Sequence, residues 1–525
     1  MDLKVADALA FSGFTIALLL YIRKFLRNRP SILPPGPKGL PIIGNLLQLP
    51  KSYEWETYHR WSTELDTDII HVNAAGVSII VLDSMKAAED LVEKRSMIYS
   101  SRPQSVMLME FLAQDRNFGL MLYGEQWRIR RRLFDQMFNP ATSKRYQPQQ
   151  ATATRHLLRK LCDDPENFAR HIRHHAATII LSIAYGIKVL PENDPHVKLA
   201  EDGVRIVGAA TRPGSFLVEA LPLLKYVPEW LPGASWKLQA KEWCKVTKAM
   251  FIKPFEAAND LIASTVDLSI DAKGTILPSF TSFCYQEYQE TQDPAYHESL
   301  VCDVAMTMFQ GGSDTTVSTM TSFFLAMLAN PDAQRKAQQE IDRVIPAGHL
   351  PDFSDHDSLP YVAALVKEAL RWQNVFPMGI PHRLDEEDVY RGYRIPAESI
   401  VLINVWAILH DETVYPEPFS FKPERFLTPE GQLDPNVQDP AKAVFGFGKR
   451  VCPGRHMGYS SIWIAISSLL TVFNIEKALN PDGSVDEPTY AQIGDTLCHP
   501  VPFKCSIKPR SQQMEKMIRD LTMSD

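Results

Sequence analysis

The stretch FGFGKRVCPG, from Phe445 to Gly454, decides how this sequence is interpreted. It surrounds one cysteine, Cys452, with glycines, basic residues and a proline. A disulfide needs a second cysteine and an oxidising compartment, and a zinc site needs further ligands at close spacing. The seven cysteines are scattered, at positions 162, 244, 284, 302, 452, 498 and 505, and no CxxC spacing occurs. This usage fits a reducing compartment with free thiols, so the surroundings of Cys452 need another explanation.

The residues around Cys452 suit a thiolate that lies beside a flat ligand. Gly446 and Gly448 allow a tight turn and a close approach of the backbone. A helix is predicted to begin soon after Cys452, and its N-terminal amides and dipole stabilise a thiolate. Arg450 could neutralise an anionic edge of the ligand. A thiolate in a tight pocket beside a basic residue therefore suits a flat anionic ligand that is bound through sulfur.

The composition is that of an ordinary globular protein with a large core. Of the 525 residues, 45% are apolar and 22% are charged. The formal net charge of -7 argues against a broad nucleic-acid surface, so no nucleic-acid partner is expected. Helical patterns dominate, short strands are predicted within 68–84 and 389–407, and no composition break divides the body. The predicted fold class is therefore mainly α with minor β.

The N-terminal thirty residues predict a membrane anchor. Residues 8–22 carry no charge, and basic residues follow at positions 23, 24, 27 and 29. Although a span needs about 20 residues, apolar residues extend this run on both sides. Because the basic residues follow the apolar run, the pattern is the reverse of a cleaved signal peptide and places the remaining chain in the cytoplasm. An amphipathic surface helix is the alternative.

The predicted organisation has three parts. Residues 1–30 form the signal anchor with its basic stop, 31–45 a proline-rich hinge, and 46–525 one catalytic domain. Prolines at 34, 35, 37 and 41 exclude helix and favour a stiff extended segment. Such a segment would fix how a soluble body lies against the bilayer, and a simple linker is the alternative.

One long helix is predicted from about Ser299 to Asn330, without proline in its interior. Its middle reads GGSDTT, and two adjacent glycines cost about 1 kcal/mol each in a helix relative to alanine. Asp314, Thr315 and Thr316 follow, and their side chains compete for backbone hydrogen bonds. Such a local conflict often marks a functional position. Close helix packing against the glycines is the structural alternative.

Three further segments carry charged residues on shared helix faces. The segment YVAALVKEALRW places Glu368 and Arg371 on one face, and FKPERFL supplies Arg425, which could complete an ion network. The segment GEQWRIRRRLF places Trp127 and Arg131 on one helix face.

Together these motifs resemble those of the cytochrome P-450 superfamily over nearly the full chain. FGFGKRVCPG matches the family's haem-cysteine pattern F-x-x-G-x-R-x-C-x-G at every fixed position. KEALR is similar to the family's E-x-x-R helix, KPERF to its P-E-R-F segment, GGSDTT to its oxygen-activation motif, and WRIRR to its W-x-x-x-R element. LPPGPKGLPIIGN resembles the proline hinge of membrane-bound members. Stretches such as VYRGYRIP, SLPYVAALVKEALRW and HPVPFKC are similar to those of fungal microsomal members of secondary-metabolite pathways. These members include basidiomycete tailoring oxygenases and the O-methylsterigmatocystin oxidoreductase group.

The resemblance implies a cytochrome P-450 fold in which haem b lies between the long central helix and the helix after the cysteine loop, preceded by the membrane anchor helix. Cys452 would be the axial iron ligand, and Asp314 and Thr315 the catalytic residues that manage protons. The implied cofactor-binding residues are Trp127, Arg131, Arg383, Phe445, Arg450, Cys452 and Gly454. For Arg383 a surface charge is the alternative, and neighbouring His382 could assist or be an ordinary loop histidine. Glu368, Arg371 and Arg425 would hold the fold.

The resemblance also places an apolar substrate pocket between four segments. The pocket residues implied are Met109, Phe111, Met308, Phe309, Val375, Met378 and Thr496. Methionines and aromatics make an adaptable apolar cavity, which favours a lipophilic substrate. For each residue singly, packing in the core is an equal alternative.

The implied activity is haem-thiolate monooxygenation with O₂ and with NADPH-derived electrons delivered by a flavoprotein reductase. A terpenoid is the preferred substrate, and an aromatic polyketide or alkaloid the alternative. An electron-independent isomerase or dehydratase, and a non-enzymatic haem sensor, are further alternatives on the same scaffold. Arg128, Arg132 and Lys449 could dock the reductase, although each could be a solvated surface charge. The expected location is the endoplasmic reticulum membrane, with the catalytic domain facing the cytosol.

Overall fold

The structure is a computed structural model that describes residues 32–212, 215–266, 277–287, 293–494 and 496–521. The predicted anchor, residues 1–30, lies outside the described residues. Across the ranges described, no helix combines the length and the apolar character needed to cross a bilayer.

Helices dominate the described residues, as the sequence predicts. The helices of eight or more residues are α1 (Glu54–Glu64), α2 (Glu125–Phe138), α3 (Gln147–Asp163), α4 (Phe168–Tyr185), α5 (Pro195–Thr211), α6 (Ser235–Val266), α7 (Phe280–Glu287), α8 (Pro294–Ala329), α9 (Pro331–Val344), α10 (Pro360–Trp372), α11 (Arg455–Val472) and α12 (Gln512–Asp520). Shorter helical turns are Leu46–Gln48, Met85–Ala88, Glu89–Glu93, Ser96–Tyr99, Met107–Phe111, Thr142–Tyr146, Pro165–Asn167, Leu217–Ala220, Pro222–Tyr226, Phe353–Ser358, Val405–Leu409, Pro423–Phe426, Ala441–Val444 and Gly448–Arg450.

The strands are short and form small sheets. They are β1 (Ile69–Ala74), β2 (Val77–Leu82), β3 (His382–Arg383), β4 (Asp388–Tyr390), β5 (Tyr393–Ile395), β6 (Ile400–Ile403), β7 (Phe473–Lys477), β8 (Gln492–Ile493), β9 (His499–Pro500) and β10 (Cys505–Pro509). The largest sheet has the order β1-β2-β6-β3, with antiparallel outer pairs and a parallel β2–β6 pair. The remaining strands pair as β4–β5, β7–β10 and β8–β9. The two strands predicted within 68–84 are confirmed as β1 and β2.

The proline-rich segment is extended along the edge of this sheet. The amide of His71 in β1 donates to the carbonyl of Pro35 at 2.8 Å, and Gly44 forms a bridge with Ala74. The stiff segment that the prolines predict is therefore attached to the body by backbone hydrogen bonds.

The predicted long helix is α8, which is buried along most of its length. It starts at Pro294, several residues before the predicted start, because proline at the first helical position loses no intrahelical hydrogen bond. The side chain of Asp293 accepts a hydrogen bond from the amide of Tyr296 and caps this end. Helix α8 packs against α4 on one side and contacts α11, the helix that follows the cysteine loop.

The predicted three-member ion network is present and buried. Arg371 donates to both carboxylate oxygens of Glu368, at 2.7 and 2.9 Å, and both side chains are fully buried. Arg425 donates to the same carboxylate at 3.1 Å. Removing one member of such a network leaves a buried charge without its partner, which costs several kcal/mol. The network therefore holds α10 against the turn Pro423–Phe426, close to the cysteine loop.

Candidate functional site

The loop around Cys452 is closed by its own backbone. The amide of Cys452 donates to the carbonyl of Phe445 at 2.7 Å, and α11 begins three residues later with Gly454 as its N-cap. Gly448 has a φ of +58°, and a side chain at this position would collide with the carbonyl oxygen of Val92. Glycine is therefore required there by both conformation and space. All seven cysteines lie within the described residues and none of them forms a disulfide, as the scattered spacing predicts.

Opposing electrostatic effects act on the pKa of the Cys452 thiol. Burial raises its pKa above the ordinary value, whereas the Gly454 amide and the guanidinium groups of Arg131 and Arg455 act to lower it. A cation that coordinates the sulfur would supply the missing charge and hold it as a thiolate. The electrostatics thus suit a metal-bound thiolate better than a free reactive thiol.

Two arginines near this loop are buried without a carboxylate partner among the described residues. Arg450 is 8% exposed and donates to the carbonyls of Ser100, Phe118 and Met121. Arg102 is 5% exposed and donates to the carbonyls of Gly119, Ile380 and Pro381. Burial, together with the neighbouring charges of Arg102 and Arg131, lowers the pKa of Arg450 to about 8. Burial likewise lowers the pKa of Arg102 to about 9.

This pair of cations provides a test of whether the residues fit haem. Two buried guanidinium groups without an anion are costly, and a ligand that brings two carboxylates would balance them. In addition, Nε of Arg383 is buried and has no hydrogen-bond partner in the described part of the chain. Next to it, burial together with Arg102 and Arg450 depresses the pKa of His382 well below its ordinary value. The residues present therefore fit a flat ligand with two propionates beside Cys452.

Helix α2 supplies two of the predicted cofactor-binding residues. Trp127 is buried, and the guanidinium carbon of Arg450 lies 4.7 Å from the centre of its ring. Arg131 donates to the carbonyl of Val451 at 2.7 Å, and its Nε bonds to Asp135. The structure thus brings Trp127 and Arg131 to the cysteine loop, with the charge of Arg131 already paired.

Helix α8 is opened at one position in its middle. Gly311 is exposed, and a methyl group built on it would meet nothing within 4 Å. Gly312, by contrast, lies against α4, and a Cβ there would be 2.8 Å from Cδ1 of Ile180. The sequence left open whether the glycines mark a functional position or close helix packing, and each alternative applies to one of them. Gly312 serves close packing and Gly311 leaves an open space.

The two predicted catalytic residues have different partners. The hydroxyl of Thr315 donates to the carbonyl of Gly311 at 3.0 Å, so it lies at the open position. The Oδ2 atom of Asp314 lies 3.0 Å from Nε2 of His499, on β9. Thr315 contacts the exposed Gly311 position, and the adjacent Asp314 contacts His499, which comes from a distant segment.

The predicted pocket residues fall into separate packing groups. Met109 and Phe111 belong to a cluster with α5 and α6, where the Phe111 ring lies 5.2 Å from that of Trp236. Met308 and Phe309 pack with α4. Met378 packs with β1 and β2. The carbonyl of Val375 accepts a hydrogen bond from the amide of Cys498. The hydroxyl oxygens of Thr496 and Thr211 are 3.5 Å apart. Their roles as substrate contacts remain predictions.

Sequence reasoning missed two residues that this site contains. Arg102 stands in SSRPQ and His499 in CHPVP, and no functional motif described above contains either residue. Their significance comes from partners that are far apart in the sequence, Arg450 and Asp314. An arginine among apolar and small residues was the only local signal for Arg102.

Comparison with known proteins agrees with this arrangement. The family model described as cytochrome P-450 matches residues 34–506. The chain is 43% identical to cytochrome P-450 monooxygenase 98 of Postia placenta, over 97% of this chain and 96% of that protein. It is 40% identical to tryptamine 4-monooxygenase of Psilocybe cyanescens, over 96% and 98%. It is 41% identical to cytochrome P-450 monooxygenase ple1 of Rhodocybe pseudopiperita, over 93% and 91%.

Proposed function

The chain belongs to the cytochrome P-450 family, and on that premise we propose that it oxidises a lipophilic secondary metabolite, with a terpenoid as the first candidate. The protein is a monooxygenase of this family, and its cofactors are haem held by a cysteine thiolate, O₂, and electrons from a reductase. In this reaction one oxygen atom enters the substrate and the other leaves as water, and two electrons and two protons are consumed. The bound haem supplies the redox chemistry, in which the thiolate favours cleavage of the O–O bond.

The open position at Gly311 is the observation that carries the proposal. A buried helix that exposes one residue in its middle provides room for a small molecule. The Thr315 hydroxyl is fixed there by its bond to the Gly311 carbonyl, and Asp314 is the adjacent acid. A hydroxyl and an acid at one opening support proton delivery to oxygen rather than an electron-independent reaction.

Cys452 is the proposed iron ligand, and the buried arginines are the proposed propionate partners. The proposed propionate partners are Arg102, Arg450 and Arg383. Arg102 and Arg450 are buried without a carboxylate partner among the described residues. The Nε atom of Arg383 is buried and has no hydrogen-bond partner among the same residues. Trp127 would position Arg450 through its ring, and Arg131 would fix the loop.

Apolar side chains support a lipophilic substrate. Apolar residues of the segment Met107–Phe111 and its neighbour Leu112 pack in one cluster with apolar residues of α5 and α6. An indole alkaloid is the second candidate, because one relative over nearly the whole chain is a tryptamine 4-monooxygenase. Tryptamine also contains an apolar ring system.

A reductase is the proposed electron donor, and it would dock near α2. The guanidinium carbon of Arg128 and Nζ of Lys449 lie 5.7 and 5.9 Å from the centre of the same ring, that of Tyr123. With exposed Arg132 they form a basic group near the cysteine loop. Such a group supports charge-steered encounter with an acidic NADPH-dependent flavoprotein.

Attachment to the endoplasmic reticulum membrane, through the predicted anchor, is part of the proposal. Two segments expose large apolar side chains that support contact with lipid. They are Ile42 and Leu47 near the hinge, and Leu217, Leu223, Tyr226 and Trp230 between α5 and α6, all of which are at least 71% exposed. Exposed apolar groups of this size commonly mark membrane or protein contacts.

A carbon monoxide difference spectrum tests the iron ligand. The protein is reduced with dithionite, and carbon monoxide is added to the wild type, to Cys452→Ala and to a matched control, Cys244→Ala. We expect the red-shifted Soret band of a thiolate-bound ferrous carbonyl in the wild type and the control, and its loss in Cys452→Ala. A spectrum like that of histidine-ligated haem in the wild type would contradict the assignment.

Turnover in a host that supplies a reductase tests the reaction and the substrate class. Terpenoids and tryptamine are supplied in parallel, with and without NADPH, and products are identified by mass spectrometry. A product heavier by one oxygen atom, formed only with NADPH, is expected. Products formed equally without NADPH would favour an isomerase or dehydratase, and no product from any lipophilic compound would favour a haem sensor.

A further inference from the structure

The Asp314–His499 contact joins two elements that are distant in the sequence. Asp314 lies on α8 and His499 on β9, and the facing atoms are 3.0 Å apart. Their side chains are only 18% and 21% exposed. A partly buried carboxylate–imidazole pair is stronger than an exposed one, because water screens it less.

A second contact fixes the position of His499. The hydroxyl of Ser318, one helical turn after Asp314, donates to the carbonyl of Cys498 at 2.5 Å. The amide of Cys498 donates in turn to the carbonyl of Val375 at 2.9 Å. The residue before His499 is thus held from both sides, so the imidazole reaches Asp314 from a fixed backbone.

A cleft leads to this pair from the solvent. It has a volume of about 390 Å³ and lies between α4, α5, α8 and the turn that precedes β9. Asp314, His499 and Ser313 line it together with exposed residues of α5, so the cleft is open to water. The other charged residues that line the cleft are Arg173 on α4, Glu201, Asp202 and Arg205 on α5, and Arg212 after α5.

We propose that His499 supplies protons from this cleft to Asp314, so that His499, Asp314 and Thr315 form one relay into the open position at Gly311. This inference rests on the proposed function. The Nδ1 atom of His499 accepts a proton from water in the cleft while Nε2 gives its proton to Oδ2 of Asp314. The carboxyl is then neutral, loses its attraction to the imidazole, and turns to donate toward the Thr315 hydroxyl.

The relay has a chemical reason. A carboxylic acid with the ordinary pKa near 4 is protonated for only about one part in a thousand at pH 7. Rapid delivery of two protons in each cycle therefore needs a neighbour that titrates near neutral pH. Histidine is the side chain with that property. His499 is thus a positioning residue that acts through Asp314.

The first test needs no substrate. Haem-loaded protein with ¹⁵N-labelled histidine is studied as the ferrous carbonyl form, which is diamagnetic, and the imidazole signals are followed from about pH 5 to 9. His499→Gln assigns the signal. Because Nε2 of His499 faces the carboxylate, Asp314→Asn should change the ¹⁵N chemical shifts of the His499 ring and their dependence on pH. Unchanged ¹⁵N shifts and an unchanged pH dependence in Asp314→Asn would overturn the coupling.

The second test separates proton supply from structural damage. The probe is thioanisole, which gains one oxygen atom to form its sulfoxide. With O₂ the reaction consumes two electrons from NADPH and two protons and releases water. With hydrogen peroxide the oxidant brings its own electrons and protons, and again water is released. His499→Gln should lower the NADPH-driven rate about tenfold and change the peroxide-driven rate by less than about twofold.

The exposed His349 provides the matched control, and His349→Gln should change neither rate. An equal loss on both routes in His499→Gln, or no loss on either, would overturn the relay. If the wild type forms sulfoxide with peroxide but never with NADPH and reductase, the proposed function itself fails. In that case the imidazole titration still reports whether the pair is coupled.

Discussion

The guanidinium group of Arg450 lies over the ring of Trp127, 4.7 Å from its centre, and thereby joins the cysteine loop to α2. The same group donates to three backbone carbonyls from the segments at 100, 118 and 121. The Arg450 side chain thus holds together the backbone segments beside the proposed propionate site. A planar fork with several donors is needed for this, which lysine cannot replace.

Arg450→Lys should reduce haem retention about fivefold, because one ammonium group cannot serve three carbonyls and a ring. Haem content per protein is measured from the ratio of Soret to protein absorbance after purification. Arg128→Lys, at an exposed arginine of the same helix region, is the control and should retain haem. Equal retention by both variants would show that Arg450 does not shape the site.

Gly312→Ala should lower the free energy of unfolding by about 1–2 kcal/mol. The new methyl group would press on Ile180, 2.8 Å from Cδ1, and overpacking outweighs the gain in helix propensity. Gly311→Ala is a matched control one residue away, where the added methyl group would press on no other segment of the described residues. Thermal unfolding should give a lower midpoint only for Gly312→Ala, and equal midpoints would argue against tight α4–α8 packing.

Glu219→Ala should speed the entry of small ligands about threefold. The Glu219 carboxylate accepts from the hydroxyl of Ser105 and from the amide of Met107, at 2.8 and 2.7 Å, and so ties the segment before α6 to the loop that carries predicted pocket residues. Flash photolysis of the ferrous carbonyl measures the rebinding rate. Glu229→Ala, which removes a pair with Lys241 elsewhere in the same segment, should leave the rate unchanged.

His175 should make the protein sensitive to mild acid. It is 2% exposed, and burial lowers its pKa to about 4, whereas the unfolded chain takes up this proton near pH 6.5. The unfolded state therefore binds more protons between these values, and stability falls as the pH drops from about 6.5 to 4. The loss from this residue is at most about 3 kcal/mol.

His175→Phe removes this titration. Its unfolding midpoint should fall less between pH 7.5 and 5 than that of the wild type, although its stability at neutral pH can differ. His349→Phe, at an exposed position, should show the wild-type dependence on pH. An identical slope in His175→Phe and the wild type would assign the acid sensitivity to other groups.

Many of the helices and strands could be predicted because the sequence patterns that indicate them are local. The strands β1 and β2, the helix that follows Cys452 and the long helix α8 all follow from patterns within single segments. Helix α8 starts at Pro294, before the predicted start near Ser299, because proline is well accommodated at the first helical position. The predicted anchor lies outside the described residues, and it stays a prediction.

By itself the sequence determined the family, the cysteine that the haem iron would require and the Glu368–Arg371–Arg425 network, since each depends on residues at fixed local spacing. Only the tertiary structure decided which arginines are buried without a carboxylate partner among the described residues, which glycine packs against α4 and which one is exposed, and that His499 meets Asp314. These properties arise from contacts between segments hundreds of positions apart, where burial sets the cost of an unpaired charge. Local pattern carries no information about such contacts.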